Sequence, residues 1–483
     1  MKMPGPSATL FSVDRDSSVP LFRQIYDRTR IAITTGRIRP GERLPSARSL
    51  AAQLGAARGT VEAAYATLAG EGWIVAHGAA GTVVAPRLGE APQLKPLALA
   101  PARRHCASST VGAESAPRPF RMGLPALDAF PRKLWARLVA REARTVSPGR
   151  LDYPDPAGDH GLREAISAYL AISRGVFCTP GQVFITGGYQ GGLSLIARAL
   201  IEPGAAVWFE DPGYRLARRG LVAAGAHLAP IPVDHDGMRV EEAIAHAPQA
   251  RFAVVTPSHQ SPLGVALSLP RRLALLTWAE ANSAWVIEDD YDGEFHYAGR
   301  PLPALKSLDR GDVVLYAGSF SKVLFPGLRL GYLVTPARLA ERFAAAAHAL
   351  SGGYGRLEQL VVARFMTEGH FARHLKRMRG LYAARRTALA AALTNAFGDR
   401  LQIGLQSGGM HLLARPSGGA PDRELVRRAE RDGLAPAALS AHAIVADTGP
   451  GLLLSFTNIP ETQAEPAAQA LLRAIGDRVG CPM

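Results

Sequence analysis

The chain has 483 residues, too many for one ordinary domain, and its 47% hydrophobic and 20% charged residues are the balance of a globular protein. Three cysteines, Cys106, Cys178 and Cys481, lack paired spacing, which argues against a disulfide framework or a zinc site and fits a reducing cytosol. A formal net charge of +14 suggests a polyanionic partner.

The opening "MKMPGPSATLFSVDRD" lacks an apolar signal-peptide core, and no stretch is apolar for long enough to cross a bilayer. A cytoplasmic location with no membrane partner is expected. Residues 9–86 read as short helices followed by a glycine-punctuated hairpin. Pro20 opens the first helix and Gly36 lies near its end. Ser46 is a good cap for a second helix, whose Leu50, Ala51 and Leu54 turn inward, and Gly55 breaks it. In the third, Val61, Ala64, Tyr65 and Leu68 make one apolar face, and the leading edge offers Arg58, Gly59, Thr60 and Thr67. "WIVAHGAAGTVVA" then reads as a hairpin with a glycine turn.

Two short helices at a sharp angle, the second presenting polar residues from its N-terminal end, suit the major groove of double-stranded DNA. Arg48 and Arg58 can pair with phosphate or guanine, and Thr60 can donate to phosphate. His77 and Gly78 at the hairpin tip could approach the minor groove. A small helical protein-contact module would carry the same caps. The order of elements, with "PGERLPSARSLAAQLG" before the third helix, resembles the α+β winged helix-turn-helix of GntR-type bacterial regulators, and that resemblance implies DNA binding.

Residues 87–119 are rich in Pro, Ala, Ser and charge without a sustained period, which reads as a flexible linker. From Phe120 to residue 479, apolar runs such as "AVWFE", "RFAVVTP", "AWVIEDD" and "DVVLYAG" alternate with helical stretches. This predicts an α/β domain with a mostly parallel sheet covered on both faces.

Lys322 in "SFSKVLFPGLRLGY" follows the strand "DVVLYAG", and an amine there is costly unless it is used. Burial and a nearby cation, Arg329, both favour the neutral amine, which can form a Schiff base with an aldehyde. Arg329 can also clamp a phosphate, and Ser319 and Ser321 add hydroxyl donors. "FITGGYQGGL" is a strand, a glycine-rich turn and a helix start, which suits a phosphate but is more often a simple tight turn. "WVIEDDYDGEF" ends a strand with carboxylates that can hold a pyridine nitrogen protonated or bind metal or solvent; no histidine cluster accompanies them. "FEDPGYR" places Tyr214 where a ring could stack on a flat cofactor, or in an ordinary turn. All four motifs fall at strand carboxyl ends, where such sheets bind ligands.

Together they resemble fold type I pyridoxal 5'-phosphate (PLP) enzymes of the aspartate aminotransferase class. The resemblance implies Lys322 as the Schiff-base lysine and Asp289 as partner of the pyridine nitrogen, with Asp290 as fallback. Tyr291 would lie near the ring hydroxyl and Tyr214 over the ring face. Gly188, Tyr189, Gln190, Ser319, Ser321 and Arg329 would hold the phosphate, and Tyr153 would reach the partner subunit's phosphate. No metal site is expected.

A GntR-type head, a long linker and an aminotransferase-like body resemble the MocR/GabR family of PLP-dependent transcriptional regulators. "TPSHQSPLG", "IEDDYDGEF", "SFSKVLFPGLRLGY" and "SGGMH" are similar to that family's signatures. The resemblance implies a head-to-tail homodimer that binds a DNA operator and senses PLP or an amine reacting with it. An active aminotransferase with an appended head is the alternative. One departure counts against that alternative. The late arginine that clamps a substrate α-carboxylate is missing from "LLLSFTNIPE", which carries Phe456, Thr457 and Asn458, and none of residues 432–472 is Arg or Lys. PLP itself then becomes a candidate signal.

Overall fold

The structure is a computed structural model that describes residues 11–78, 81–86, 116–297, 303–418 and 420–479. The chain divides into two compact units, Met1–Val111 and Gly112–Met483. Residues 9 and 10 of the expected head and residues 87–115 of the expected linker lie outside the described residues.

The first unit has helices α1 (Leu21–Thr34), α2 (Ala47–Leu54) and α3 (Arg58–Gly70), then strands β1 (Ile74–Ala76) and β2 (Thr82–Val84). The Ser46 side chain accepts from the Ser49 N–H at 3.1 Å, satisfying one orphan donor of α2. Gly55 ends that helix in the left-handed region at φ 59°. Val61, Ala64, Tyr65 and Leu68 of α3 are buried against Ile25, Leu50 and Ala51, as their spacing predicts. Ile74 pairs with Val84 in an antiparallel wing.

The second unit opens with α4 (Arg132–Thr145), α5 (His160–Ser173), β3 (Val183–Thr186), α6 (Gly188–Leu200), β4 (Ala206–Asp211) and α7 (Arg215–Ala223). It continues with β5 (His227–Asp234), β6 (Gly237–Met238), α8 (Val240–His246), β7 (Phe252–Val255), α9 (Leu269–Ala281) and β8 (Trp285–Asp290). Then come β9 (Val314–Ser319), α10 (Phe320–Val323), β10 (Gly331–Val334), α11 (Ala340–Leu350), α12 (Arg356–Thr367) and α13 (His370–Phe397). The last elements are β11 (Leu401–Gly404), β12 (His411–Pro416), α14 (Asp422–Arg431), β13 (Ala437–Ala438), β14 (Leu452–Ser455) and α15 (Ala464–Ile475).

Eight strands form one sheet in the order β3-β10-β9-β8-β7-β4-β5-β6. The pairs from β9 through β8, β7 and β4 to β5 are parallel, whereas β10 is antiparallel to β3 and β9, and β6 to β5. Because β10 alone is reversed between them, β3 runs with β9. The carboxyl ends of β3, β4, β8 and β9 therefore share one edge. Val286, Ile287, Val314 and Leu315 of the central strands are fully buried, at about 1.5–3 kcal/mol of stabilisation each. A second sheet, β11-β12-β14-β13, is wholly antiparallel and was not expected. Its strands are two to six residues long and set among helices, so no alternation develops. Among the described residues no helix is long and apolar enough to cross a membrane.

Candidate functional site

Lys322 lies on the short α10, directly after β9 ends at Ser319. The Ser319 hydroxyl caps α10 by accepting from the Ser321 N–H at 3.1 Å. Lys322 Nζ donates to the Gly123 carbonyl at 2.7 Å. Gly123 sits at φ 83°, and a Cβ there would stand 3.0 Å from Lys322 Nζ, so only glycine fits easily. Burial lowers the Lys322 pKa, and the carboxylates of Asp292 and Asp289 pull it partly back.

Across the same cavity, β8 resolves which carboxylate is which. Asp289 lines the cavity. Asp290, one residue on, belongs to the other face of the pleat. There it pairs with the buried Arg174 at 2.7 Å and accepts from the Tyr316 hydroxyl at 2.6 Å. The register therefore places Asp289, not the fallback Asp290, at the cavity. Burial, then Asp290, Asp292 and Glu210, holds the Asp289 pKa well above the usual carboxylate range. Such an acid is stabilised by any cation brought to it.

Helix α6 begins at Gly188 with no side-chain cap, so its first N–H groups are available to an anion. Gly188 has φ 75°, and its missing Cβ would lie 3.8 Å from the Arg329 guanidinium. Arg329, itself left-handed at φ 52°, donates to the Gly187 carbonyl at 3.1 Å. Arginine and helix N-terminus thus meet at one place. Tyr189, Gln190, Tyr214, Tyr291, Ser319 and Ser321 line the same cavity of ≈ 410 Å³. Gln190 Nε2 is buried with no hydrogen-bond partner among the described residues, an unusual cost, and the buried Tyr189 hydroxyl faces the Asp289 carboxyl. The Tyr291 hydroxyl lies 3.0 Å from His259 Nδ1. Burial raises the Tyr214 phenol to about 12.

Tyr153 is not brought to the cavity: it is 91% exposed. Sequence reasoning assigned no role to Met122, Ser261, Met410 and His411, which also form walls. The last three sit inside the quoted stretches "TPSHQSPLG" and "SGGMH", so a signal existed without a chemical role. His442 gave no signal; a 3.3 Å contact with the Gly213 carbonyl carries it to the wall. Phe456, Thr457 and Asn458 follow β14 rather than lie in it. The Thr457 hydroxyl donates to the Leu124 carbonyl at 2.5 Å.

In the first unit Arg48, Arg58, Gly59, His77 and Gly78 are exposed and Thr60 is half-buried. Arg58 is not free, since its guanidinium pairs with Glu62 at 2.7 Å. That exposed pair is worth less than about 1 kcal/mol and does not compete with a phosphate. Gly59 opens onto empty space. Gly78 turns at φ 54°, bringing the His77 N–H 2.8 Å from the Gly81 carbonyl.

Residues 21–84 match the bacterial regulatory proteins of the gntR family, and residues 130–444 match aminotransferase class I and II. The chain is 37% identical over 462 residues to the probable rhizopine catabolism regulatory protein MocR of Rhizobium meliloti, covering 94% of this chain and 93% of that one. It is 35% identical over 398 residues to the pyridoxine biosynthesis transcriptional regulator PdxR of Corynebacterium glutamicum, covering 82% and 83%. The kynurenine aminotransferase of Pyrococcus horikoshii, in a crystal structure with PMP, superposes with a TM-score of 0.69 at 26% identity, over 76% of this chain and 93% of that one. An exposed helix-turn-helix, an aminotransferase fold and near-full-length similarity to such regulators agree: the chain belongs to the MocR/GabR-type helix-turn-helix transcriptional regulators.

Proposed function

We propose that this regulator holds PLP in the body's cavity, and that PLP itself, or an amine reacting with it, sets its affinity for a DNA operator. The observation that carries the reading is the meeting of Lys322, Asp289 and Arg329 around one cavity, with the lysine amine desolvated. The residues present fit the cofactor. Gln190 Nε2 is buried without a partner among the described residues, an uncapped helix N-terminus meets an arginine, and the buried Asp289 makes no close ion pair among them.

When bound, PLP supplies an aldehyde carbon that exchanges between a lysine amine and an incoming amine. Lys322 is the anchor, and its burial favours the neutral, nucleophilic amine. Asp289 would hold a proton on the cofactor's ring nitrogen, Tyr291 would serve its ring hydroxyl, and Tyr214 would cover the ring. Arg329, the first turn of α6 at Gly188, Tyr189 and Gln190, and the hydroxyls of Ser319 and Ser321 take the phosphate. In the first unit Arg48, Arg58 and Thr60 meet phosphate or base edges, and the wing at His77 and Gly78 meets the minor groove.

The assembly we infer is a head-to-tail homodimer, with each head against the partner's body. It is supported by Tyr153, exposed and outside its own chain's cavity, where a partner could use it. We place the boundaries at 9–86 and 120–479, joined by 87–119; a ligand sets DNA affinity only by binding one state of the dimer better than another.

The test is binding of the purified protein to its own upstream intergenic DNA, with and without PLP, beside Lys322→Ala. PLP is expected to shift the affinity of the parent and not of the variant. A parent that takes up PLP but changes affinity only when an amine is added makes the amine the signal. A colourless parent that ignores PLP overturns the reading. Steady release of a ketoacid from an amino donor would favour turnover instead.

A further inference from the structure

We infer that His259, steadied by Asp292, is a positioning residue for the cofactor: it holds the Tyr291 hydroxyl so that its hydrogen is offered to the cofactor's ring oxygen. The inference deepens the functional reading and rests on it, since it concerns a group that would serve PLP.

His259 follows β7 in "TPSHQSPLG" and stands behind the cavity wall rather than in it. Its side chain and that of Asp292 are only 5% and 2% exposed. Tyr291 does line the cavity and links this buried pair to it. Two glycines hold the imidazole in place. A Cβ at Gly409 would overlap the ring, and one at Gly264 would stand 2.9 Å from Nε2. Both have positive φ, at 89° and 75°, so neither position takes a side chain readily.

The neighbours of this ring place its proton. Nδ1 lies 3.0 Å from the Tyr291 hydroxyl and 3.1 Å from Asp292 Oδ2. A carboxylate oxygen can only accept, so a bare Nδ1 would set lone pair against lone pair. Nδ1 therefore carries hydrogen, whether the ring is neutral or charged. Nε2 is buried without a partner among the described residues, so nothing there competes for the tautomer. The directed bond from Nδ1 goes to Tyr291, because Asp292 Oδ2 receives no aligned hydrogen bond.

This arrangement sets the direction of the phenol. Its oxygen accepts from Nδ1–H, so its own hydrogen points elsewhere. Burial, then the charges of Asp292 and Asp289, hold the Tyr291 pKa well above its ordinary value, so that hydrogen stays on the oxygen. Asp292 is near enough to attract it but takes no aligned bond at Oδ2, which leaves the cavity for its use. Without the imidazole, the hydrogen is free to turn to the Asp292 carboxylate instead. Asp289, Lys322, Tyr297 and His411 also face this corner, and all four stay the same in the variants below.

The test follows the visible band of the PLP-loaded full chain against pH. A donor on the ring oxygen favours the more negative form, so its loss moves the titration midpoint upward. His259→Phe is expected to raise the midpoint by at least about one unit, the size of a lost bond to a charged group. His259→Asn puts an amide N–H where Nδ1–H stood and is expected to keep the parent's midpoint. His259→Gln reaches the Nε2 position instead and should shift like the Phe variant. Tyr291→Phe should shift at least as far, and adding His259→Phe to it should move the midpoint no further. A His259→Phe midpoint level with or below the parent's overturns the inference, as do shifts that add in the double variant. If the Phe variant does not fold, equal midpoints for the Asn and Gln variants overturn it. A parent whose band does not depend on Lys322 overturns the cofactor reading and this inference with it. A normal parent band with unresponsive His259 variants overturns this inference alone.

Discussion

The two units carry their chemistry in opposite ways. In the head, Arg48, Arg58, Gly59, His77 and Gly78 stand exposed on a small core that does not need them. In the body, Glu210, Asp289, Asp290 and Asp292 are buried, and Lys322 is desolvated within reach of Asp289 and Asp292. Each buried charge has a cost that something must offset, whether hydrogen bonds, a counter-ion or a ligand. A surface that reads a partner from outside is energetically silent until the partner arrives. A cavity that holds its ligand inside is strained beforehand, and that strain marks it.

The largest effect expected from breaking this contrast is at Lys322. Lys322→Ala removes the anchor and is expected to abolish the cofactor's visible band, while the urea midpoint stays level or rises, because a desolvated amine has been deleted. A loss of stability with retained cofactor would show the lysine to be structural. Next comes the far face of β8. Arg174→Ala leaves Asp290 buried without its 2.7 Å partner and is expected to cost about 3–5 kcal/mol in urea unfolding. A cost below about 1 kcal/mol would mean that Asp290 is satisfied by Tyr316 alone.

The same contrast explains what the sequence disclosed. Asp289 and Lys322 were legible because charges at the ends of apolar strands need a reason, and Arg329 because it follows the same lysine. The choice between Asp289 and Asp290 needed the pleat, which only the strand pairing fixes. His411 and His442 were not legible as a pair, since they come together through contacts with Pro262 and Gly213 that no spacing encodes. A mostly parallel sheet followed from alternation; its count of eight strands did not. The reversal of β10 did not, because a short buried strand reads the same in either direction. In the head, the polar leading edge of the third helix and the net charge pointed to DNA, and the order of elements strengthened that reading.

A smaller effect sharpens the contrast through pH. Glu210 accepts from Thr256 and Gln260, yet burial lifts its pKa to about 7 from 4.5. Between those values the folded state holds a proton that the unfolded chain has lost. Stability from this group is thus full below about 4.5 and is lost as pH rises through about 7. Relative to Glu210→Gln, the parent is expected to lose about 3 kcal/mol of unfolding free energy across that window. Groups common to both proteins cancel in the difference. Parallel pH curves would mean that Glu210 is ionised throughout.

The smallest effect on the fold belongs to the head. Arg48 is exposed and makes no ion pair among the described residues, so Arg48→Ala is expected to change unfolding free energy by less than about 0.5 kcal/mol. Its loss from the DNA complex is expected to cost about 1–3 kcal/mol if it meets a base edge. If it meets only phosphate, the cost should be similar on every sequence and the salt dependence should fall by about one unit of slope. Comparing operator with unrelated DNA at two salt concentrations separates these. Arg58→Ala is the control for helix effects, because it also loses the 2.7 Å pair with Glu62. Should Arg48→Ala destabilise the head by more than it weakens DNA binding, the silence of the exposed surface would be false, and these residues would have to be counted with the core.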